Sequence, residues 1–136
     1  MKEQKIKRKS KLIIYNGSNI LVLEKNKKKK RYVLAGGFLK KGESPELGLI
    51  REVEEEIGVS LTTNEIALFS SALALNKGER DIMKYYFVLI INGQKFNNKE
   101  PHNFKSIHWV DWTEASEFLN PDDKGIIEQF YNETLN

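Results

Sequence analysis

The residues best suited to chemistry are four glutamates within five consecutive positions, Glu52 and Glu54 to Glu56. On a helix, Glu52, Glu55 and Glu56 share one face, because residues three and four apart are neighbours. Clustered carboxylates repel each other, by about 1 kcal/mol per pair at 4 Å in water and about 4 kcal/mol at an effective dielectric of 20. A hard cation reverses that sign, and oxygen ligands suit Mg²⁺ or Mn²⁺. The cluster therefore indicates either a divalent-ion site that also takes substrate phosphates or a solvated acidic face.

A helix must position these carboxylates, and its ends are marked in the sequence. Ser44 is a suitable N-cap, Pro45 suits the first helical position and Gly58 supplies a left-handed stop. The side opposite the glutamates is apolar, which predicts that it packs on the core. The residues expected on that buried side are Leu47, Ile50, Val53 and Ile57.

Glycines lie close to the glutamates at two places. Gly48 falls on the acidic side of the helix, where a glycine costs about 1 kcal/mol relative to alanine. We therefore expect a close approach to the helix at Gly48. Gly36 and Gly37 precede the helix and allow a tight turn, which could direct a carbonyl oxygen to the same ion.

The spacing of these residues resembles the Nudix box, G-x5-E-x7-R-E-U-x-E-E-x-G-U, where U is aliphatic. Every specified position is filled, by Gly37, Glu43, Arg51, Glu52, Val53, Glu55, Glu56, Gly58 and Val59. One departure is Ala35, where many members carry proline before the glycine pair. The resemblance implies a hydrolase of nucleoside diphosphates linked to another group. It also implies an α+β fold, an αβα sandwich with a central mixed β-sheet, over nearly the whole chain.

The resemblance further implies roles for the acidic residues. Glu52, Glu55 and Glu56 correspond to ligands of Mg²⁺ or Mn²⁺, and Glu52 is also in line as the base that helps to activate water. The carbonyl of Gly36 would be a further metal ligand. Members often add a glutamate from a later loop to the metal cluster or to the water-activating step. Glu100 is the candidate here, and the alternative is that Glu100 is a solvated loop residue.

Four box residues are implied to be structural. Glu43 and Arg51 would form an ion pair that holds the loop to the helix, while Gly37 and Gly58 shape the loop and the helix end. The two histidines are predicted to be bystanders, with His102 in an exposed loop and His108 structural in a strand.

Length and composition bound the remaining possibilities. The 136 residues fit one domain, residues 1–136, large enough to form a core without cross-links. The absence of cysteine excludes disulfides and zinc-thiolate sites and is compatible with a reducing cytoplasm, the expected location. No apolar run approaches the roughly 18 residues that a membrane helix requires, and we expect no membrane partner. Monomer and homodimer both stay open.

The positive charge is concentrated at one end. The net charge is +3, but residues 1–31 contain 12 Lys and Arg against two Glu, so they carry +10 and the rest carries −7. Residues 25–31 hold six positive charges in seven positions. A solvated loop is the plainer interpretation, and the alternatives are steering of phosphates toward the acidic site and contact with nucleic acid.

The remaining pattern alternates strands and turns. Strands are predicted over residues 11–15, 20–23, 32–34, 66–75, 85–91 and 107–112, with turns at 16–19, 76–80 and 92–93. The run 85–91 suggests a central strand that contributes Phe87, Leu89 and Ile91 to the core.

Two helices are predicted near the carboxyl end. Thr113 would cap the first, and Pro121 would start the second. The apolar stripe of the second, expected to pack on the sheet, is Ile126, Ile127 and Phe130.

The substrate class depends on residues outside the box. Members that act on ADP-ribose tend to carry a proline beyond it, but none occurs between Pro45 and Pro101. A tyrosine in that region marks dinucleoside-polyphosphate types, and residues 61–84 contain none. Both absences favour a MutT-like nucleoside triphosphate pyrophosphohydrolase. The alternatives are an ADP-sugar or dinucleotide pyrophosphatase, an RNA 5′-end pyrophosphohydrolase and a non-catalytic nucleotide-binding module, the last disfavoured by the intact glutamates.

Overall fold

The structure is a computed structural model that describes residues 6–75 and 80–134. Within them the strands are β1 (Lys7–Ile13), β2 (Tyr15–Asn16), β3 (Asn19–Lys25), β4 (Tyr32–Val33), β5 (Ala35–Phe38), β6 (Ile66–Ala74), β7 (Ile82–Leu89) and β8 (Phe104–Asp111). The helices are α1 (Pro45–Ile57), α2 (Trp112–Ser116) and α3 (Pro121–Thr134). None of these helices is long and apolar enough to cross a membrane.

The strands form two sheets. The first has the order β5-β1-β7-β6, in which β1 runs parallel to β7 and the other pairs are antiparallel. In the second, β3 pairs with β2, β4 and β8, all antiparallel. The first sheet lies between α1 on one face and α3 on the other. The expected α+β fold, an αβα sandwich on a mixed sheet, is confirmed.

The core is divided by the first sheet into two clusters. Leu12 of β1 and Val53 of α1 belong to the cluster under α1, and both are fully buried. The neighbouring Ile13 belongs to the other cluster, together with Ile127 and Phe130 of α3. Consecutive residues of β1 thus feed opposite cores, as a strand covered on both faces requires. The predicted packing of the α3 stripe on the sheet is confirmed.

Two predicted strands start too late. β1 begins at Lys7 instead of residue 11, because its polar first half pairs with β5 and β7. β8 begins at Phe104 instead of residue 107, since Phe104 already pairs with Lys25. Backbone pairing in both cases extends the strand past the point where the hydrophobic pattern stops. The predicted turn at 16–19 is confirmed, with Gly17 at φ +59°, whereas residues 76–79 of another predicted turn lie outside the described part.

Three side-chain predictions are wrong. Leu47 is 58% exposed, and Leu49 is fully buried in its place, so the helix is rotated relative to the prediction. Ile91 is 48% exposed because β7 ends at Leu89. Thr113 lies inside α2, whose N-cap is Asp111, an earlier residue that accepts the Thr113 N–H.

Candidate active site

α1 has the ends that the sequence predicts. The Ser44 hydroxyl accepts the Leu47 N–H at 3.1 Å, Pro45 is the first helical residue and Gly58 adopts φ +70°. Side chains of β1 fasten the same end to the sheet, since Ser10 Oγ donates to the Pro45 carbonyl and Arg8 Nη2 to the Glu43 carbonyl. The first turn of α1 is therefore held at a fixed position over β1.

Gly36 and Gly37 lie in β5, paired with β1, and not in the predicted tight turn. There the glycine pair places backbone against two of the carboxylates. Gly36 has φ +132°, and its N–H donates to Glu56 Oε1 at 2.7 Å. A Cβ on Gly37 would lie 2.6 Å from Glu52 Oε2, so only glycine leaves room for that carboxylate. The close approach expected at Gly48 is confirmed, because a Cβ there would lie 2.2 Å from Leu39 Cδ2.

Arg51 connects the loop to the helix. Its Nε and Nη2 donate to the two carboxylate oxygens of Glu43 at 2.8 and 3.0 Å. These bonds and the Lys40 N–H lower the pKa of Glu43 to about 2. Nη1 donates to Glu52 Oε1 at 3.0 Å and lies 3.5 Å from Glu55 Oε2. Arg51 thus contacts both the loop acid and two of the clustered acids.

Glu56 lies in a different environment from the other glutamates of the cluster. It is only 8% exposed, and burial raises its pKa to about 7. The Gly36 N–H and the Lys11 ammonium oppose that rise, while the charges of Glu52 and Glu100 add to it. A buried carboxyl with a donor on one oxygen is positioned to bind a cation, since a cation stabilises its ionised form.

Glu55 and Glu100 lie at the margin of the acidic cluster. The Glu55 side chain is 51% exposed. The loop that carries Glu100 is held against the end of α1, where the Lys99 N–H donates to the Glu56 carbonyl at 2.9 Å. This contact brings Glu100 near Glu56, although its carboxylate accepts from Asn103 Nδ2 at 3.4 Å.

A cleft brings the acids together with cations. Its walls include Gly36 and Gly37 of β5, Glu52 and Glu56 of α1, and also Lys9, Lys11, Lys25, Val33, Phe38 and Phe104. Carboxylate and carbonyl oxygens are the donors that Mg²⁺ and Mn²⁺ prefer. The absence of a Cβ on Gly37 leaves that space for Glu52. The donor chemistry therefore fits a hard divalent ion.

The acids do not form a closed cage as they stand. Among residues 6–75 and 80–134, no three acidic or histidine side chains are close enough together to hold an ion. Arg51 is hydrogen-bonded to Glu52 and Glu55, and Gly36 to Glu56. Each of the three carboxylates thus has one oxygen hydrogen-bonded within the protein.

The cleft lysines are the residues that sequence reasoning missed. Lys11 is 4% exposed, donates to the Leu34 carbonyl at 3.3 Å and has a pKa lowered mainly by burial. Burial and the neighbouring ammoniums of Lys11 and Lys84 lower the pKa of Lys9 to about 8. The available signal was the alternation of Lys7, Lys9 and Lys11, which places all three on one face of a strand.

The basic run is largely an exposed loop. Residues 26–31 join β3 to β4 and are exposed, in agreement with the plainer interpretation, whereas Lys25 lines the cleft. His102 is exposed. His108 lies in β8, where its Nε2 is 2.6 Å from Ser106 Oγ of the same strand and 3.1 Å from Glu24 Oε1 of β3. Both histidines are placed as predicted.

The αβα sandwich, with its glycine pair in β5 followed by an acidic helix, has the architecture of a NUDIX domain. The family model for the NUDIX domain matches residues 7–130, and the chain belongs to that family. Members hydrolyse a pyrophosphate bond in nucleotide derivatives and generally use divalent metal ions.

Individual relatives are similar over different lengths. An ADP-sugar pyrophosphatase of Mus musculus is 35% identical over 65 residues, which are 48% of this chain and 28% of that protein. The E. coli ORF135 protein is 22% identical with a TM-score of 0.77, over 94% of this chain and 90% of that one. A MutT NUDIX hydrolase of Burkholderia pseudomallei is 17% identical with a TM-score of 0.79, over 93% of this chain and 98% of that one. At such identities the two structures demonstrate the fold alone.

Proposed function

We propose that this Nudix hydrolase is a MutT-like nucleoside triphosphate pyrophosphohydrolase that depends on Mg²⁺ or Mn²⁺. In the proposed reaction, water adds to a phosphorus of the triphosphate and the adjoining P–O–P bond breaks. The products are a nucleoside monophosphate and pyrophosphate, with release of a proton. The observation that carries the proposal is the cleft in which Glu52 and Glu56 lie together with Lys9, Lys11 and Lys25.

The residues proposed to hold the ion are Glu52, Glu55, Glu56 and the carbonyl of Gly36. An ion bound there would neutralise phosphate charge and lower the pKa of a bound water. Glu52 is the proposed base, because its carboxylate lies in the cleft and Arg51 and Gly37 fix its orientation. Glu100, beside Glu56, is the second candidate for this proton transfer.

The protein itself supplies charge compensation and orientation. Two carboxylates and a triphosphate would repel each other, and Lys11 and Lys25 of the cleft wall offset that repulsion at the phosphates of the scissile linkage. The Gly36 N–H holds one oxygen of Glu56, which leaves the other oxygen for the ion. Arg51 keeps Glu52 against Gly37 of β5 through the hydrogen bond from Nη1.

Hydrolysis of an ADP-sugar is the second candidate. It is favoured by the 35% identity to the mouse ADP-sugar pyrophosphatase over 48% of this chain. RNA 5′ ends are a further candidate, because the exposed basic run begins at Lys25 in the cleft wall. A substrate panel therefore has to contain triphosphates, ADP-sugars, dinucleotides and 5′-triphosphorylated RNA.

The test combines that panel with one pair of variants. Purified protein is incubated with each compound and either Mg²⁺ or Mn²⁺, and the products are identified by mass. Glu56→Gln should lower turnover by at least about 100-fold, because it removes a charge from the proposed ion site. Glu54→Gln, an exposed acid of the same helix, is the matched control and should retain turnover. Unchanged turnover in Glu56→Gln would refute the site.

A further inference from the structure

The face of the first sheet that looks toward α3 carries a group of lysines. β1 places Lys7, Lys9 and Lys11 on this face, since they alternate along the strand. Lys9 lies opposite Phe38 of β5 on one side and opposite Lys84 of β7 on the other. A row across three strands therefore contains Phe38, Lys9 and Lys84, with Lys9 in the middle.

The neighbours of Lys9 have partners of their own. Lys84, 7% exposed, pairs with Asp122 of α3 at 3.2 Å. Lys11 donates to the Leu34 carbonyl. Lys9 makes no side-chain hydrogen bond or ion pair within the described residues, and its Nζ lies 4.7 Å from the centroid of the Phe38 ring. A half-buried ammonium of this kind is costly unless an anion joins it.

The surroundings indicate where that anion would come from. Lys9 and Phe38 line the cleft that also contains Glu52 and Glu56. Phe38, 43% exposed, is also a wall of an adjoining cleft with Lys7, Arg80 and Ile82. Lys7 Nζ lies 5.3 Å from the same ring centroid. Positive groups thus continue from the carboxylates past Phe38, as a site for an extended polyanion requires.

We propose that Lys9, flanked by Lys7, binds a substrate phosphate outside the scissile linkage and thereby selects nucleoside triphosphates over nucleoside diphosphates and their sugar esters. The proposal rests on the proposed function, because it takes the scissile linkage to lie at Glu52 and Glu56. The terminal phosphate supplies the anion that Lys9 lacks. A compound that has no terminal phosphate, or a neutral sugar in its place, leaves the Lys9 ammonium without an anion.

The experiment compares three proteins with wild type. Lys9→Gln removes the charge at nearly constant length, Lys9→Arg retains it, and Lys124→Gln makes the same charge change on the exposed side of α3. For each, kcat/KM is measured on a nucleoside triphosphate, the matching diphosphate and its sugar ester. Binding of inorganic tripolyphosphate and of pyrophosphate without divalent ions is measured by calorimetry, and circular dichroism verifies folding.

Lys9→Gln should lower kcat/KM for the triphosphate by about 10- to 100-fold, the effect of losing a charged hydrogen bond. For the diphosphate and its sugar ester, kcat/KM should change little. Lys9→Gln should bind tripolyphosphate at least about tenfold more weakly than wild type. Lys9→Arg should restore most of the lost kcat/KM and most of the lost tripolyphosphate binding. An equal loss on all substrates, or unchanged tripolyphosphate binding, would overturn the selection by Lys9. If wild type cleaves none of these compounds, the proposed function fails, while tripolyphosphate binding still tests Lys9.

Discussion

Replacing Glu43 with glutamine should destabilise the protein in a pH-dependent way. The carboxylate accepts two hydrogen bonds from Arg51, at 2.8 and 3.0 Å, and one from the Lys40 N–H at 2.8 Å. These contacts lower its pKa from 4.5 to about 2. If fully realised, that pKa shift contributes about 3 kcal/mol to the free energy of unfolding. Because the Arg51 and Glu43 side chains stay 22% and 16% exposed, solvent screening reduces the expected loss to roughly 1–2 kcal/mol.

The sign of the pH dependence follows from the direction of the shift. A carboxyl whose pKa is lowered by folding binds fewer protons in the native state than in the unfolded state. Its stabilisation is therefore complete above the ordinary pKa of 4.5 and is lost as the pH falls toward about 2. The difference between wild type and Glu43→Gln should shrink over that window, since glutamine does not titrate.

Urea unfolding followed by circular dichroism measures this difference. Wild type and Glu43→Gln are compared from about pH 7 down to the lowest pH at which both fold. Glu117→Gln is the control, because Glu117 is exposed and makes no side-chain hydrogen bond or ion pair within the described residues. A loss below about 0.5 kcal/mol at neutral pH, or one that stays constant as the pH falls, would contradict the argument.

Two further pairs of variants separate the fold from the site. Gly36→Ala should cost at least about 3 kcal/mol in urea unfolding, since its Cβ would lie 2.1 Å from the Ser10 carbonyl oxygen at a positive φ. Gly37→Ala should leave most stability intact but reduce turnover, because its Cβ displaces the Glu52 carboxylate; equal effects of the two variants on stability would contradict this. Leu49→Ala should cost about 2–5 kcal/mol, and Leu47→Ala, at an exposed position, less than about 1 kcal/mol. A larger loss for Leu47→Ala than for Leu49→Ala would show that Leu47, and not Leu49, faces the core.

The sequence alone determined the features that depend on near neighbours. The cap at Ser44 and the stop at Gly58 act within one turn of the helix, so both ends of α1 could be predicted from residue types. The turn at Gly17 is local in the same sense. The box spacing indicated the family because it constrains one loop and one helix that are contiguous in the chain.

Only the tertiary structure decided which side chains meet across the chain. The polar start of β1 carries no hydrophobic pattern, yet pairing with β5 and β7 makes it a strand and puts Lys9 and Lys11 into the cleft. Docking of a distant loop on the end of α1 brings Glu100 to Glu56. Hydrogen bonds between strands depend on backbone groups that every residue type except proline shares, so they leave little trace in the residue types.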